Sequence, residues 1–168
     1  GNTKTFFIAT PEHGTITVRS IYVGKNVDEN IKTHQLFSMH QGRCDVTSIN
    51  SSMNVVAGGY AAGAIGSYAT SARLGYSFIS NNTGNSIFGI NCLGVISKCI
   101  IRSSTFLSNK ATKYGIFMRL SGPSRFEDST FAFNQGRYFY GSSPIYFSRC
   151  VADCEKPSGL VEDESCQW

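Results

Sequence analysis

The chain has 168 residues, 41% hydrophobic and 12% aromatic, with 17 glycines and a formal net charge of +4. That length buries one elongated core, which argues for a single domain over residues 1–168 and against a second independent one. Leucine is scarce and β-branched and aromatic residues dominate the apolar set, which excludes a helical bundle and points to many short strands.

In chain order, Phe6 to Ile8 and Thr15 to Val23 alternate apolar and polar residues as strands do, with Pro11-Glu12-His13-Gly14 as the turn between them. Residues 24–43 are the most polar, running from Asp28, Glu29, Asn30 and Lys32 to His34 and His40, and read as a loop or short helix. Residues 1–43 are thus N-terminal strands with a polar loop. Repeat coils are expected over 44–154. They open with Cys44-Asp45-Val46, a degenerate copy with Val46 in the place of Phe.

The clear copies of Phe-x-x-Asn are Phe78-Ile79-Ser80-Asn81, Phe106-Leu107-Ser108-Asn109 and Phe131-Ala132-Phe133-Asn134, which recur 28 and 25 residues apart. Each Phe follows Ser or Thr (Ser77, Thr105, Thr130), so the match extends beyond two residues. After each Asn a run (Thr83 to Ile90, Ala111 to Met118, Gly136 to Phe147) leads into an isoleucine, Ile87, Ile116 or Ile145. Val151-Ala152-Asp153-Cys154 reads as a further copy with Val for Phe and Cys for Asn. Residues 155–168 carry Glu155, Glu162, Asp163 and Glu164 and read as a C-terminal cap or tail.

A period near 25 with short β-type segments predicts an all-β solenoid, a parallel β-helix of about six or seven coils with one repeat per coil. In such a stack Phe78, Phe106 and Phe131 fill the interior. Asn81, Asn109 and Asn134 sit at a corner and bond backbone groups that strand pairing leaves unmatched.

Upstream, Gly58-Gly59-Tyr60-Ala61-Ala62-Gly63-Ala64-Ile65 ends one change from Gly-Gly-Ala-Ile. Together with Phe-x-x-Asn, over residues 44–154, it resembles the polymorphic membrane protein repeats of chlamydial surface adhesins and the similar repeats of trichomonad surface proteins. The resemblance implies a right-handed, single-stranded parallel β-helix displayed at a cell surface for adhesion, and it brings no catalytic residues with it.

No Asp or Glu occurs between Asp45 and Glu127, a stretch that holds seven bases. Among them Arg102, Lys110, Lys113 and Arg119 are the candidate face for anionic ligands such as sulfated or sialylated glycans. The alternative is an ordinary solvated surface. Tyr114, Tyr138 and Tyr140 lie near Lys113 and Arg137 and suit a carbohydrate contact or a packing surface. Glycoside hydrolysis needs two facing carboxylates, whereas Glu127 and Asp128 are adjacent and on a strand would point to opposite faces. His34, His40 and Cys44 lack the paired short loops of a structural zinc site. No phosphate loop or nucleic-acid-binding motif occurs, so no cofactor, metal or nucleic acid is expected.

Six cysteines make an even set, with Cys92 and Cys99, and two of Cys150, Cys154 and Cys166, as local candidates for disulfides. The alternative is that they are small apolar fillers. Asn50-Ser51-Ser52 and Asn81-Asn82-Thr83 are N-glycosylation sequons, and with the cysteines they favour an extracellular or cell-surface protein. The longest apolar stretch, Val55 to Ile65, contains glycines and is far shorter than the roughly 20 residues of a spanning helix, so no transmembrane segment is expected. The leading expectation is a non-enzymatic surface β-helix acting in adhesion or as a structural component, with cell-surface glycans or proteins as partners. Its rivals are a filament subunit built by head-to-tail stacking and a polysaccharide lyase or glycoside hydrolase.

Overall fold

The computed structural model describes residues 6–9, 14–25, 27–28, 37–40, 43–67, 71–92, 98–120, 123–141, 144–154, 156, 160–162 and 166–168. Among them there are strands and no helix. The first are β1 (Phe6–Ala9), β2 (Thr15–Gly24), β3 (Val27–Asp28) and β4 (Phe37–His40). Three turns are then described nearly whole. The first joins β5 (Arg43–Ser52) to β6 (Val55–Ser67). The second holds β7 (Ser71–Gly75), β8 (Phe78–Ser80) and β9 (Thr83–Cys92), and the third β10 (Lys98–Arg102), β11 (Thr105–Leu107) and β12 (Lys110–Leu120). Beyond them lie β13 (Ser124–Glu127), β14 (Thr130–Ala132), β15 (Phe139–Gly141), β16 (Ile145–Ser148), β17 (Val151–Ala152) and β18 (Leu160–Glu162).

Every strand pairing is parallel and joins a strand to its equivalent in the next turn, which is the architecture of a parallel β-solenoid. Among the described residues the strands form an eleven-stranded and a seven-stranded sheet. In each turn the chain runs along the first sheet, turns a corner, and crosses into the second. The six or seven coils expected exceed the three turns that are described nearly whole. Within residues 24–43, Val27–Asp28 and Phe37–His40 form β3 and β4, so the loop or short helix expected there gives way to strands at those positions.

Backbone geometry explains the corners. In the second turn, Tyr76 follows β7 and Asn81 follows β8, both in the left-handed region with φ of 52° and 53°. Ser103, Asp128 and Arg149 repeat the first of these, and Met53, Ser108 and Phe133 the second. Each such residue bends the chain and turns its own N–H toward the next turn, as when Tyr76 donates to the Arg102 carbonyl at 3.1 Å and Asn81 to the Leu107 carbonyl at 3.0 Å. The residue just after each bend points inward, and its side chain bonds the backbone that the bend leaves without a strand partner. At the first corner these are Ser77, Ser104 and Ser129; at the second they are Asn54, Asn82, Asn109 and Asn134.

Between the sheets, in-register strands stack like residues into columns. Val46, Leu74, Ile101, Phe126 and Phe147 form one, and all are fully buried. Ser51, Ile79, Phe106, Phe131 and Ala152 form another. The core changes character along the axis. Around β5 to β8 it is aliphatic and small, whereas from Phe88 onward phenyl rings dominate, with Phe106 on Phe131 at 5.3 Å and Phe126 on Phe147 at 4.9 Å. Trp168 continues the series against Phe147 at 5.2 Å.

This register corrects the first copy of the repeat. Ile79, not Phe78, aligns with Phe106, and Phe78 is 42% exposed on the outer face. Likewise Asn82 is the buried corner amide, while Asn81 is exposed on the bend itself. Phe106, Asn109, Phe131 and Asn134 occupy the positions expected of them. Val46 aligns with Leu74, so Ser51 and Asn54 are the Phe and Asn equivalents of that turn. Near the other end Ala152, not Val151, faces inward opposite Phe131.

Candidate functional site

The pairings of β7 with β10 and of β8 with β11 are regular, but that of β9 with β12 in the seven-stranded sheet is not. Ala111 pairs with Gly84 and Gly115 with Ser86, so β12 spends four residues where β9 spends two. Thr112, Lys113 and Tyr114, which stand opposite Asn85 alone, form a bulge, a device that re-aims side chains out of a ladder. Thr112 anchors it, its hydroxyl lying 3.1 Å from the Gly84 carbonyl and 3.2 Å from the Asn85 side-chain oxygen. A side chain at Gly115 would press on the Arg137 carbonyl at 3.0 Å, the same oxygen that accepts the Ile116 N–H at 2.9 Å. That close approach seats the segment leading into β15 beside the bulge.

The result is a row of two adjacent rings with a cation at each end. Lys113 Nζ lies 4.9 Å from the centre of the Tyr114 ring, the Tyr114 and Tyr140 rings are 5.7 Å apart, and the Arg137 guanidinium sits 5.4 Å from the Tyr140 ring. Lys113, Arg137 and Tyr140 are exposed and Tyr114 is half-buried. Each cation interacts with the electron-rich face of a ring, which holds two flexible bases in place at the surface. Tyr138 takes no part in the row. It donates its hydroxyl hydrogen bond to Asp153, and burial, then Asp153, push its ionisation up to about 12.

The expected anionic-ligand face is not assembled as one surface. Arg102 ends β10 in the eleven-stranded sheet and packs over the Tyr76 ring at 5.6 Å. Lys110 and Lys113 lie on β12 in the other sheet, with β11 and two corners between them and Arg102. The Arg119 side chain lies outside the described residues. Arg43 and Arg73 are matched by Asp45 at 3.0 Å and 3.9 Å, and Arg125 by Glu127 at 3.5 Å. The bulge residues Lys113 and Tyr114 stand beside one another in the sequence, and Arg137 and Tyr140 three residues apart. What joins them is the β12–β15 pairing, in which Phe117 faces Phe139.

Both sequon asparagines, Asn50 and Asn81, are exposed. Asn81 was expected to belong to the inner column; its place on the bend puts it outside. Cys99 is buried and engaged in a disulfide, and the Cys92 side chain lies outside the described residues. Cys44, Cys150, Cys154 and Cys166 carry thiols in this structure. Among the described residues no group of His, Cys, Asp and Glu is placed to hold a metal, and no helix is long and apolar enough to cross a membrane. His34 is outside the described residues. No protein-family model, curated protein or solved structure matches the chain.

Proposed function

We propose that this chain is an extracellular, non-enzymatic surface solenoid that acts in adhesion by holding acidic glycans on the row formed by Lys113, Tyr114, Tyr140 and Arg137. The observation that carries the reading is the pair of tyrosine rings, 5.7 Å apart, with a cation over each. Ring faces take the apolar C–H side of a sugar, and the flanking bases take its sulfate or carboxylate groups, which are set outside the ring plane. The wider handedness and coil count belong to the same proposal. A right-handed helix of six or seven coils, of the polymorphic membrane protein type, accommodates β2 at one end and β18 at the other as partial turns.

Binding to a sulfated oligosaccharide such as a heparin fragment tests it. Tyr140→Ala and Lys113→Ala each weaken binding by about tenfold, the effect of one lost contact of moderate strength. Arg102→Ala, on the other sheet, leaves it unchanged. Equal loss in all three, or loss in none, contradicts the assignment of the row. A second reading, end-to-end stacking, draws on Ile16, Val18, Ile21 and Val23. These inward residues of β2 are only partly buried, so that end of the core presents apolar side chains and one strand edge. Sedimentation at rising concentration separates the two: a persistent monomer excludes stacking.

A further inference from the structure

The serine column of the first corner does not stop at Ser129. Ile49 donates its N–H to Ser77 Oγ at 3.1 Å, Ser77 to Ser104 Oγ at 3.2 Å, and Ser104 to Ser129 Oγ at 3.3 Å. Each hydroxyl in turn donates to the carbonyl two residues before it, at 2.9, 2.8 and 2.8 Å. Cys150 takes the next place. It follows the left-handed Arg149 as Ser129 follows Asp128, its thiol donates to the Ser148 carbonyl two residues before it at 3.4 Å, and it is buried. The column then runs one step further, because the Cys150 N–H points at Cys166 Sγ at 3.3 Å. The parallel bridge between Val151 and Gln167 fixes the register that puts Cys166 directly beside Cys150.

We infer that Cys150 and Cys166 are a disulfide-forming pair, which under oxidising conditions ties the Cys166–Trp168 segment covalently to the last corner of the serine column. Neighbouring in-register strands hold their Cα atoms about 4.8 Å apart, inside the roughly 4.4–6.8 Å range that a disulfide needs. Both residues are thiols in this structure, and the ladder has already brought them to one place. Cys154 is four residues from Cys150, past the short strand β17, and carries no bond into the column.

The oxidant is a small-molecule disulfide. Cys166, the more exposed of the two, attacks it as a thiolate, displacing one thiolate and leaving a mixed disulfide on Cys166. Cys150, once deprotonated, attacks Cys166 Sγ and expels the second thiolate. Two electrons pass to the oxidant, and the two protons lost by the cysteines end on the two released thiols. Burial, the largest cause, pushes the Cys150 thiol up to about 11, so the closing step is slow at neutral pH and quickens with rising pH.

The test incubates the folded protein with oxidised glutathione, alkylates the remaining thiols, and digests with a protease that cuts before aspartate. Cuts before Asp128, Asp153 and Asp163 place Cys150, Cys154 and Cys166 in separate fragments. The expected product links the Cys150 and Cys166 fragments and leaves Cys154 alkylated, with closure accelerating about tenfold per pH unit below pH 10. Closing this loop shifts the unfolding equilibrium constant about a hundredfold. Cys166→Ser, which keeps an oxygen for the Cys150 N–H, abolishes the shift, and Cys154→Ser preserves it. A link through Cys154, or three alkylated cysteines after prolonged oxidation, overturns the inference.

Discussion

The two corners of each turn face the same requirement, a bend whose backbone groups lose their strand partners, and meet it with different side chains. At the first corner a serine accepts one N–H from the preceding turn and returns its own hydrogen to a carbonyl two residues back on its own strand. At the second an asparagine bonds outward in both directions. Asn109 Oδ1 accepts from both the backbone N–H and the side-chain amide of Asn82, at 3.0 and 3.1 Å. Its own amide donates to Asn134 Oδ1 at 3.0 Å and to the Ile79 carbonyl at 2.9 Å. The same pattern links Asn54 to Asn82. Each hydroxyl therefore makes one bond to the preceding turn and one within its own, while each amide of the second column bonds to the turns on both sides.

That difference explains why the first corner accepts substitutes. Cys150 stands in a serine position because a thiol also accepts one N–H and donates one hydrogen. No other side chain of similar size has the two donors and one shared acceptor that the second corner uses. Four substitutions, measured by equilibrium unfolding in urea, press on the contrast. Asn109→Ala strands the Asn82 N–H in a buried site and removes the side-chain bonds to Asn82, Asn134 and the Ile79 carbonyl, costing about 3–5 kcal/mol. Ser104→Ala strands the Ser77 N–H, while the Arg102 carbonyl keeps its bond from Tyr76, costing about 1–2 kcal/mol. Equal costs at the two corners would erase the distinction. The smallest effect sharpens it: Ser103→Gly and Ser108→Gly relieve a left-handed residue at each corner and each stabilise by about 0.5 kcal/mol. The bend is thus common to both corners, and only the side chain after it differs.

The repeat length, the all-β class and the inward roles of Phe106, Phe131, Asn109 and Asn134 were legible in the sequence, because these two copies carry no second asparagine beside the first. The first copy offers two readings. Phe78-Ile79 and Asn81-Asn82 each present acceptable residues in adjacent places, and a slip by one exchanges inside for outside. The deciding signal lay upstream. Ser77 stands two residues before Ile79, as Ser104 and Ser129 stand before Phe106 and Phe131, so the serine column carries the register that the phenylalanines obscure. The surface was less legible. Bases counted along the chain imply one positive face, but the corners distribute Arg102 and Lys113 to different sheets. The tyrosine row depends on a bulge in β12 and on contact between turns, neither of which has a local sequence mark.

The most direct test compares Asn81→Ala with Asn82→Ala by urea denaturation. The account predicts a cost of about 3–5 kcal/mol at Asn82, whose amide is buried in the column, and about 1 kcal/mol or less at Asn81, which loses only its tolerance of the left-handed bend. The reverse order, with Asn81 the costly position, would put Phe78 inside and contradict the register on which both columns rest.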